Sequence, residues 1–212
     1  MHVSKPFKMA DLNQQLDFID KHSFGVLTSC ATNSPNIEGE NLLQATHLPF
    51  LLDKYQGSKG TLYTHIAKAN SHVKMLDKQD ALIIFNGPHG YISPTWYLSQ
   101  PAVPTWNYAA VHVYGKVELL SAASTLDVIN RTIAKYEPGL NDDKATIPDA
   151  YKQKLLGAIV GLKITISSIE GQQKLSQNRN RDEQLALVST LENSRNLEDV
   201  ALAKHMKEAL CL

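Results

Sequence analysis

Residues 106–120 read WNYAAVHVYGKVELL. Val111, Val113, Val117 and Leu119 alternate with His112, Tyr114, Lys116 and Glu118. A period of two over this length predicts a strand with one buried face. The same alternation returns in GLKITISSIEG (161–171), where Leu162, Ile164 and Ile166 share one face and Lys163, Thr165 and Ser167 the other. Working outward, FGVLTSC (24–30), ATHLPFLL (45–52) and GTLYTHI (60–66) read as further strands. Pro49 removes a ladder donor from the second of these and predicts an edge or a bulge. ALIIF (81–85) is continuously apolar and reads as a strand buried on both faces. YISPTWY supplies more strand.

Helical patterns lie between and after these strands. Residues 11–21 place Leu12, Leu16 and Ile19 on one face, and Asp11 with Gln14 resembles a capping box. A short helix is expected over 71–78, a longer one over 121–136, and a turn or two over 150–157. Two amphipathic helices close the chain, roughly 182–192 and 197–210. ATNSPNIEGEN (31–41) reads as loop and 141–149 as an exposed excursion. Six or more strands with short connections predict a mainly antiparallel, barrel-centred α+β fold. The regular strand–helix alternation of a parallel α/β sheet is missing from the middle of the chain.

Composition narrows the function. The 212 residues carry 21 Lys plus Arg and 21 Asp plus Glu, a formal net charge of zero. No global basic field exists to hold nucleic acid. Cys30 and Cys211 lie far apart and no CxxC or Cys/His spacing occurs, so free thiols in a reducing compartment are expected and a structural zinc site is not. No apolar run approaches the ~18 residues of a membrane span. The N-terminal MHVSKPFKMADLNQQL lacks the apolar core of a secretory signal, and a cytoplasmic location is expected. The eight histidines show no HExxH spacing, and no GxSxG, Walker or GxGxxG pattern occurs. The terminal helices lack a basic recognition face.

Three stretches remain as candidate sites. Pro-Thr-Trp occurs at 94–96 and again at 104–106, holding both tryptophans of the chain. Each proline pre-sets a turn or the start of a strand. Trp96 and Trp106, with polar Ser93, Asn107 and His112 nearby, either face a flat heteroaromatic ligand or cap the end of a barrel. On the capping reading Trp106, which opens the long strand, should matter more to folding than Trp96. YTHIAKANSH (63–72) leaves a strand past His65 and Lys68 and enters a helix near Asn70, which suits either an anion or an ordinary capped helix with a solvated lysine. KLSQNRNR (174–181) brings Lys174, Ser176, Gln177 and Arg179 together without apolar cover. It reads either as a binder of phosphate or of a polar ring edge, or as a surface turn.

Taken together, THIAKAN (64–70), FNGPHGYISPTWY (85–97), VPTWNYAAVHVYG (103–115) and EGQQKLSQNR (170–179) resemble the PaiB-type family of FMN-binding negative transcriptional regulators. The resemblance runs from KPF at 5–7 to the terminal helices. It implies an FMN-binding antiparallel split β-barrel, related to pyridoxamine-phosphate oxidases, over residues 1–180, with a C-terminal helical extension over 181–212. It further implies a homodimer with flavin in a groove between subunits. Lys68 would meet the FMN phosphate where the family carries arginine, keeping the charge but not the bidentate fork. Gln172 stands where the family has lysine. His65, Asn70, Ser93, Trp96, Trp106, Asn107, His112, Lys174, Ser176, Gln177 and Arg179 are the other implied cofactor contacts. DNA contact follows from the resemblance only; the charge balance does not support it. Two rivals share the fold: a flavin oxidoreductase with Lys174, Ser176 and Arg179 clamping an anionic substrate, and a heme-handling protein.

Overall fold

The computed structural model describes residues 1–30 and 42–212. The loop expected over 31–41 lies outside the described residues. In chain order the elements are β1 (Lys8–Met9), α1 (Leu12–Lys21), β2 (Phe24–Cys30), β3 (Leu43–Pro49), β4 (Leu51–Asp53), β5 (Thr61–Ala67), β6 (Asp80–Ile92), β7 (Thr105–Leu119), α2 (Ala122–Tyr136), α3 (Asp149–Leu156), β8 (Ile159–Lys174), α4 (Arg181–Glu192) and α5 (Leu197–Leu210). The fold is α+β. The strands follow the order β3-β2-β6-β7-β8-β5-β4, with β1 paired to β8. The pairings of β2 with β3 and β6, β4 with β5, β5 with β8, and β1 with β8 are all antiparallel. The path is open, ending at β3 and β4.

The described residues form two compact units. One comprises Met1–Phe18, Asn86–Val111 and Glu170–Leu212; the other comprises Ile19–Phe85 and His112–Ile169. The long strands β6, β7 and β8 each contribute one segment to each unit.

In the second unit, the alternation read from the sequence is the burial pattern. Val113 and Val117 on β7 and Leu162 and Ile164 on β8 are all fully buried. They join Leu27, Phe50, Leu62, Ile83 and Phe85 in the hydrophobic interior. The expected strand over 45–52 is interrupted at Phe50, directly after Pro49, and becomes β3 and β4. Phe50 turns its ring into the core and donates its amide to Ser23 O at 2.8 Å. The helix expected over 71–78 is a shorter 3-10 turn, Ser71–Met75. Burial of 81–85 is one-sided: Ala81, Ile83 and Phe85 are buried, whereas Leu82 and Ile84 are half-buried.

In the first unit, β6 continues past Phe85 through NGPHG to Ile92. A Cβ at Gly87 would sit 2.8 Å from the Phe18 ring, so the glycine admits that ring against the strand rather than ending it. Asp11 caps α1, accepting from the amides of Asn13 at 2.6 Å and Gln14 at 3.2 Å. Leu16 is buried, while Leu12 is 37% exposed. The terminal helices contribute Leu187, Val188 and Leu191 from α4 and Leu202, Ala203 and Met206 from α5 to a core completed by Ile92, Tyr97 and Leu175.

The two Pro-Thr-Trp segments fold differently. Pro94–Trp96 is a 3-10 turn whose cap, Ser93, accepts the Thr95 amide at 3.2 Å; Thr105 opens β7. Trp96 packs on the terminal-helix core, whereas Trp106 is 54% exposed. This reverses the ranking expected from strand position. Trp96→Ala is therefore expected to cost about 1–2 kcal/mol and Trp106→Ala less than about 0.5 kcal/mol. Urea unfolding of the two variants checks this, and equal shifts in midpoint would contradict it.

Candidate functional site

Within the second unit, the end of β5 gathers polar groups. His65 is half-buried on the strand, and burial lowers its pKa below that of an ordinary imidazole. Lys68 follows the strand and is exposed. Its amide donates to Ala158 O at 2.8 Å and its ammonium to Gly157 O at 3.0 Å. These carbonyls lie just beyond α3, where a cation is favoured by the helix dipole. Among the described residues the Lys68 ammonium makes no ion pair with a carboxylate.

Asn70 caps the turn that follows. Its Oδ1 accepts the His72 amide at 3.0 Å, and its Nδ2 reaches Thr46 Oγ1 at 3.3 Å. The Ser71 hydroxyl donates to Gln44 Oε1 at 3.3 Å. His72 is 1% exposed and bridges two hydroxyls: its Nε2 lies 2.8 Å from Ser29 Oγ, and its Nδ1 lies 2.9 Å from Thr46 Oγ1. The β2–β3 register, Leu27 opposite Thr46 and Ser29 opposite Gln44, sets these groups side by side. Sequence reasoning singled out His65, Lys68 and Asn70 here and missed Ser29, Thr46 and His72. His112, also in this unit, is half-buried on β7.

Within the first unit, KLSQNR is spent on internal bonding. Ser176 takes a left-handed backbone conformation, φ 64°, unusual for a residue with a side chain. It is 4% exposed, and Asn107, fully buried, donates Nδ2 to its hydroxyl at 3.0 Å. Tyr97 OH lies 3.4 Å away. The Gln177 side chain accepts the Leu175 amide at 2.7 Å and donates to Gln173 O at 2.5 Å. Arg179 stacks 4.2 Å above the Tyr97 ring and lies 3.8 Å from Glu183. The Lys174 ammonium donates to Thr105 Oγ1. Ser99 hydrogen bonds to the Glu183 carboxylate from its hydroxyl and amide. The hydroxyl bond is the largest of several influences holding that carboxyl below its usual pKa, with Arg179 adding to it.

A reversal from β8 into α4 buries these polar groups, and buried polar groups must find partners. The structure therefore brings Asn107, Ser176, Gln177 and Arg179 together as the knot that closes the reversal. Ser93, Trp96 and Trp106 stand elsewhere in the same unit, on the turn after β6 and at the start of β7. The three side chains expected to clamp a substrate in the oxidoreductase reading, Lys174, Ser176 and Arg179, are all engaged within the protein.

Residues 1–168 match the family described as "Putative FMN-binding domain". The chain belongs to this family. The resemblance to PaiB-type proteins also holds over full length. Protease synthase and sporulation protein PAI 2 of Bacillus subtilis (strain 168) is 33% identical over 215 residues, 99% of this chain and 98% of that protein. Among solved structures, the flavocytochrome Anf3 from Azotobacter vinelandii superposes with a TM-score of 0.61 at 15% identity, over 87% of this chain and 78% of its own. The FAD and heme binding protein from Mycobacterium smegmatis gives 0.58 at 13%, over 84% and 78%. These two likenesses establish the split-barrel fold.

Lys68 and its neighbours lie inside the part of the chain matched to the FMN-binding family, whereas the 174–179 knot lies beyond it. The donor set at the end of β5 fits the anionic end of FMN. Among the described residues it offers one ammonium bonded to a carbonyl, neutral amide and hydroxyl groups on Asn70 and Ser71, and no carboxylate.

His72 adds a pH dependence. Burial lowers its folded pKa, so the unfolded chain takes up the proton first as pH falls. The stabilisation is fully present above about pH 6.5 and is lost below it, at up to about 1.4 kcal/mol per pH unit. His65 acts in the same direction. Thermal unfolding across this range should show a slope that His72→Gln reduces; an unchanged slope would contradict the assignment.

Proposed function

We propose that this protein binds FMN with the nucleotide's phosphate at the end of β5, held by the Lys68 ammonium with Asn70 and Ser71 beside it. The observation that carries this reading is the Lys68 ammonium, exposed and held by a backbone carbonyl in a cluster without carboxylates among the described residues. A phosphate dianion supplies the countercharge that this cluster lacks. Membership of the FMN-binding family supports the choice of flavin. Bound FMN would supply a redox-active ring. In this reading the protein's own contribution is to anchor the phosphate through Lys68, Asn70 and Ser71.

In this reading the protein is a cytoplasmic, PaiB-like regulatory homodimer. The flavin is its sensing or structural ligand, in a groove between the two copies. Residues 1–180 form the flavin-binding domain, and 181–212 are a helical extension of it. Any influence on transcription is exerted through a small molecule or a protein partner, because a chain of zero net charge offers no electrostatic footprint for DNA.

Calorimetric titration with FMN, paired with an absorption spectrum of the purified chain, tests the proposal. Saturable heat and a bound flavin spectrum are expected, and sedimentation should give twice the chain mass. No heat with FMN, or a Soret band on adding heme with no response to flavin, would overturn it. Anaerobic incubation with NAD(P)H or candidate amines separates regulator from enzyme: the regulatory reading expects the flavin to stay oxidised.

A further inference from the structure

Three aromatic rings at one place in the first unit form an open cage. Tyr91, on β6, stands between Trp96 and Trp106. Its ring centre lies 6.4 Å from the first and 6.3 Å from the second, with interplanar angles of 75° to both. Both tryptophans thus meet Tyr91 edge to face, and all three rings line one groove. The groove is open to solvent: Tyr91 is 44% exposed and Trp106 54%.

The rings border a groove of about 280 Å³ completed by His89, whose ring centre lies 6.3 Å from that of Trp106, and by the start of α5, with Asn196, Glu198 and Asp199. No lysine or arginine lines it. Gly90 forms part of the groove and lets that wall approach, since a Cβ there would sit 3.1 Å from Asp199 Oδ1. Ser194 fixes the Asp199 carboxylate by donating to Oδ2 at 2.7 Å. Among the described residues Glu198 makes no ion pair.

From this geometry we infer that the groove formed by Tyr91, Trp96, Trp106, Glu198 and Asp199 is a binding site for a small organic ammonium ion. The faces of all three rings carry negative potential, and cations are drawn to them. The two carboxylates reinforce the same sign. An uncharged apolar ligand would strip water from carboxylates without compensation. A hard metal ion would find two carboxylates and three rings where it needs six or more oxygens. The volume suits a ligand of a few heavy atoms, below the usual range of about 300–1,000 Å³ for larger ligands. The assignment does not rest on the phosphate site, since none of these residues belongs to the cluster at the end of β5, and it gives Trp96 and Trp106 a role other than the cofactor contact that the resemblance implies.

The chain itself supplies the reporter, because its only two tryptophans both border the groove. The full chain is titrated with choline chloride and, in parallel, with 3,3-dimethylbutan-1-ol, which has the same shape without the charge. A saturable change in tryptophan emission is expected with choline and not with the alcohol. Glu198→Gln and Trp106→Ala replace exposed side chains and should leave folding intact; each is expected to weaken choline binding about tenfold. Three results would overturn the inference. One is no saturable response to choline, and another is an equal response to the alcohol. The third is an emission change that follows protein concentration and ignores choline, which would assign the rings to contact with a second copy.

Discussion

Phe85→Ala is expected to lower unfolding stability by about 3–5 kcal/mol, the largest single effect foreseen for this chain. Phe85 is fully buried on β6, in the second unit. It meets Phe50 edge to face, ring centres 5.4 Å apart at 77°. It also faces Gly25 on β2, where a Cβ would lie 2.8 Å from the ring. The glycine thus makes room for the phenylalanine. Removing the ring leaves a space that neither neighbour can fill. The β2 and β6 backbones are locked in register, Val26 opposite Ile84, and Gly25 has no side chain to swing inward. A site that cannot collapse falls at the costly end of large-to-small substitutions. Urea unfolding should show a lower midpoint with an unchanged slope. A loss under about 1 kcal/mol would show that the ring is not a packing centre.

The second large effect concerns the ligand. Lys68→Ala is expected to weaken FMN binding by about 1–3 kcal/mol, roughly five- to 150-fold. The same change removes a hydrogen bond to Gly157 at the end of α3, which should cost about 0.3–1 kcal/mol of stability. The two consequences separate experimentally. Lys68→Gln keeps a donor near that carbonyl but no charge, so it should restore much of the stability and little of the affinity. If Lys68→Gln binds FMN as well as the natural chain does, the phosphate contact is not ionic.

Much of the fold could be read from the sequence because its strands are half-buried. The alternation along 106–120 and 161–171 gave β7 and β8, and FGVLTSC matches β2 residue for residue. Pro49 marked a real interruption. The errors arose where a distant partner decides. NGPHG, which joins the ALIIF and YISPTWY readings, continues β6 without a break, and Phe18 packs on Gly87 within it. KLSQNR displays donors in the sequence but not their partners, and Asn107 and Tyr97 lie 69 and 79 positions from Ser176. His72 likewise depends on Ser29, 43 positions away.

The ranking of the two tryptophans was recoverable. Val111, Val113 and Val117 put the odd positions of β7 inward. By parity Trp106 faces outward with His112 and Tyr114, and Asn107 faces inward. Position at the head of a long strand was the wrong cue, and parity the right one.

The central claim, that the cluster at the end of β5 holds a phosphate, is tested most directly by comparing FMN with riboflavin, which differs only in lacking that group. Titrated into the natural chain, FMN should bind about ten- to a hundredfold more tightly. Titrated into Lys68→Ala, the two should bind nearly alike. Equal affinities in the natural chain, or a preference for FMN that survives loss of Lys68, would contradict the account.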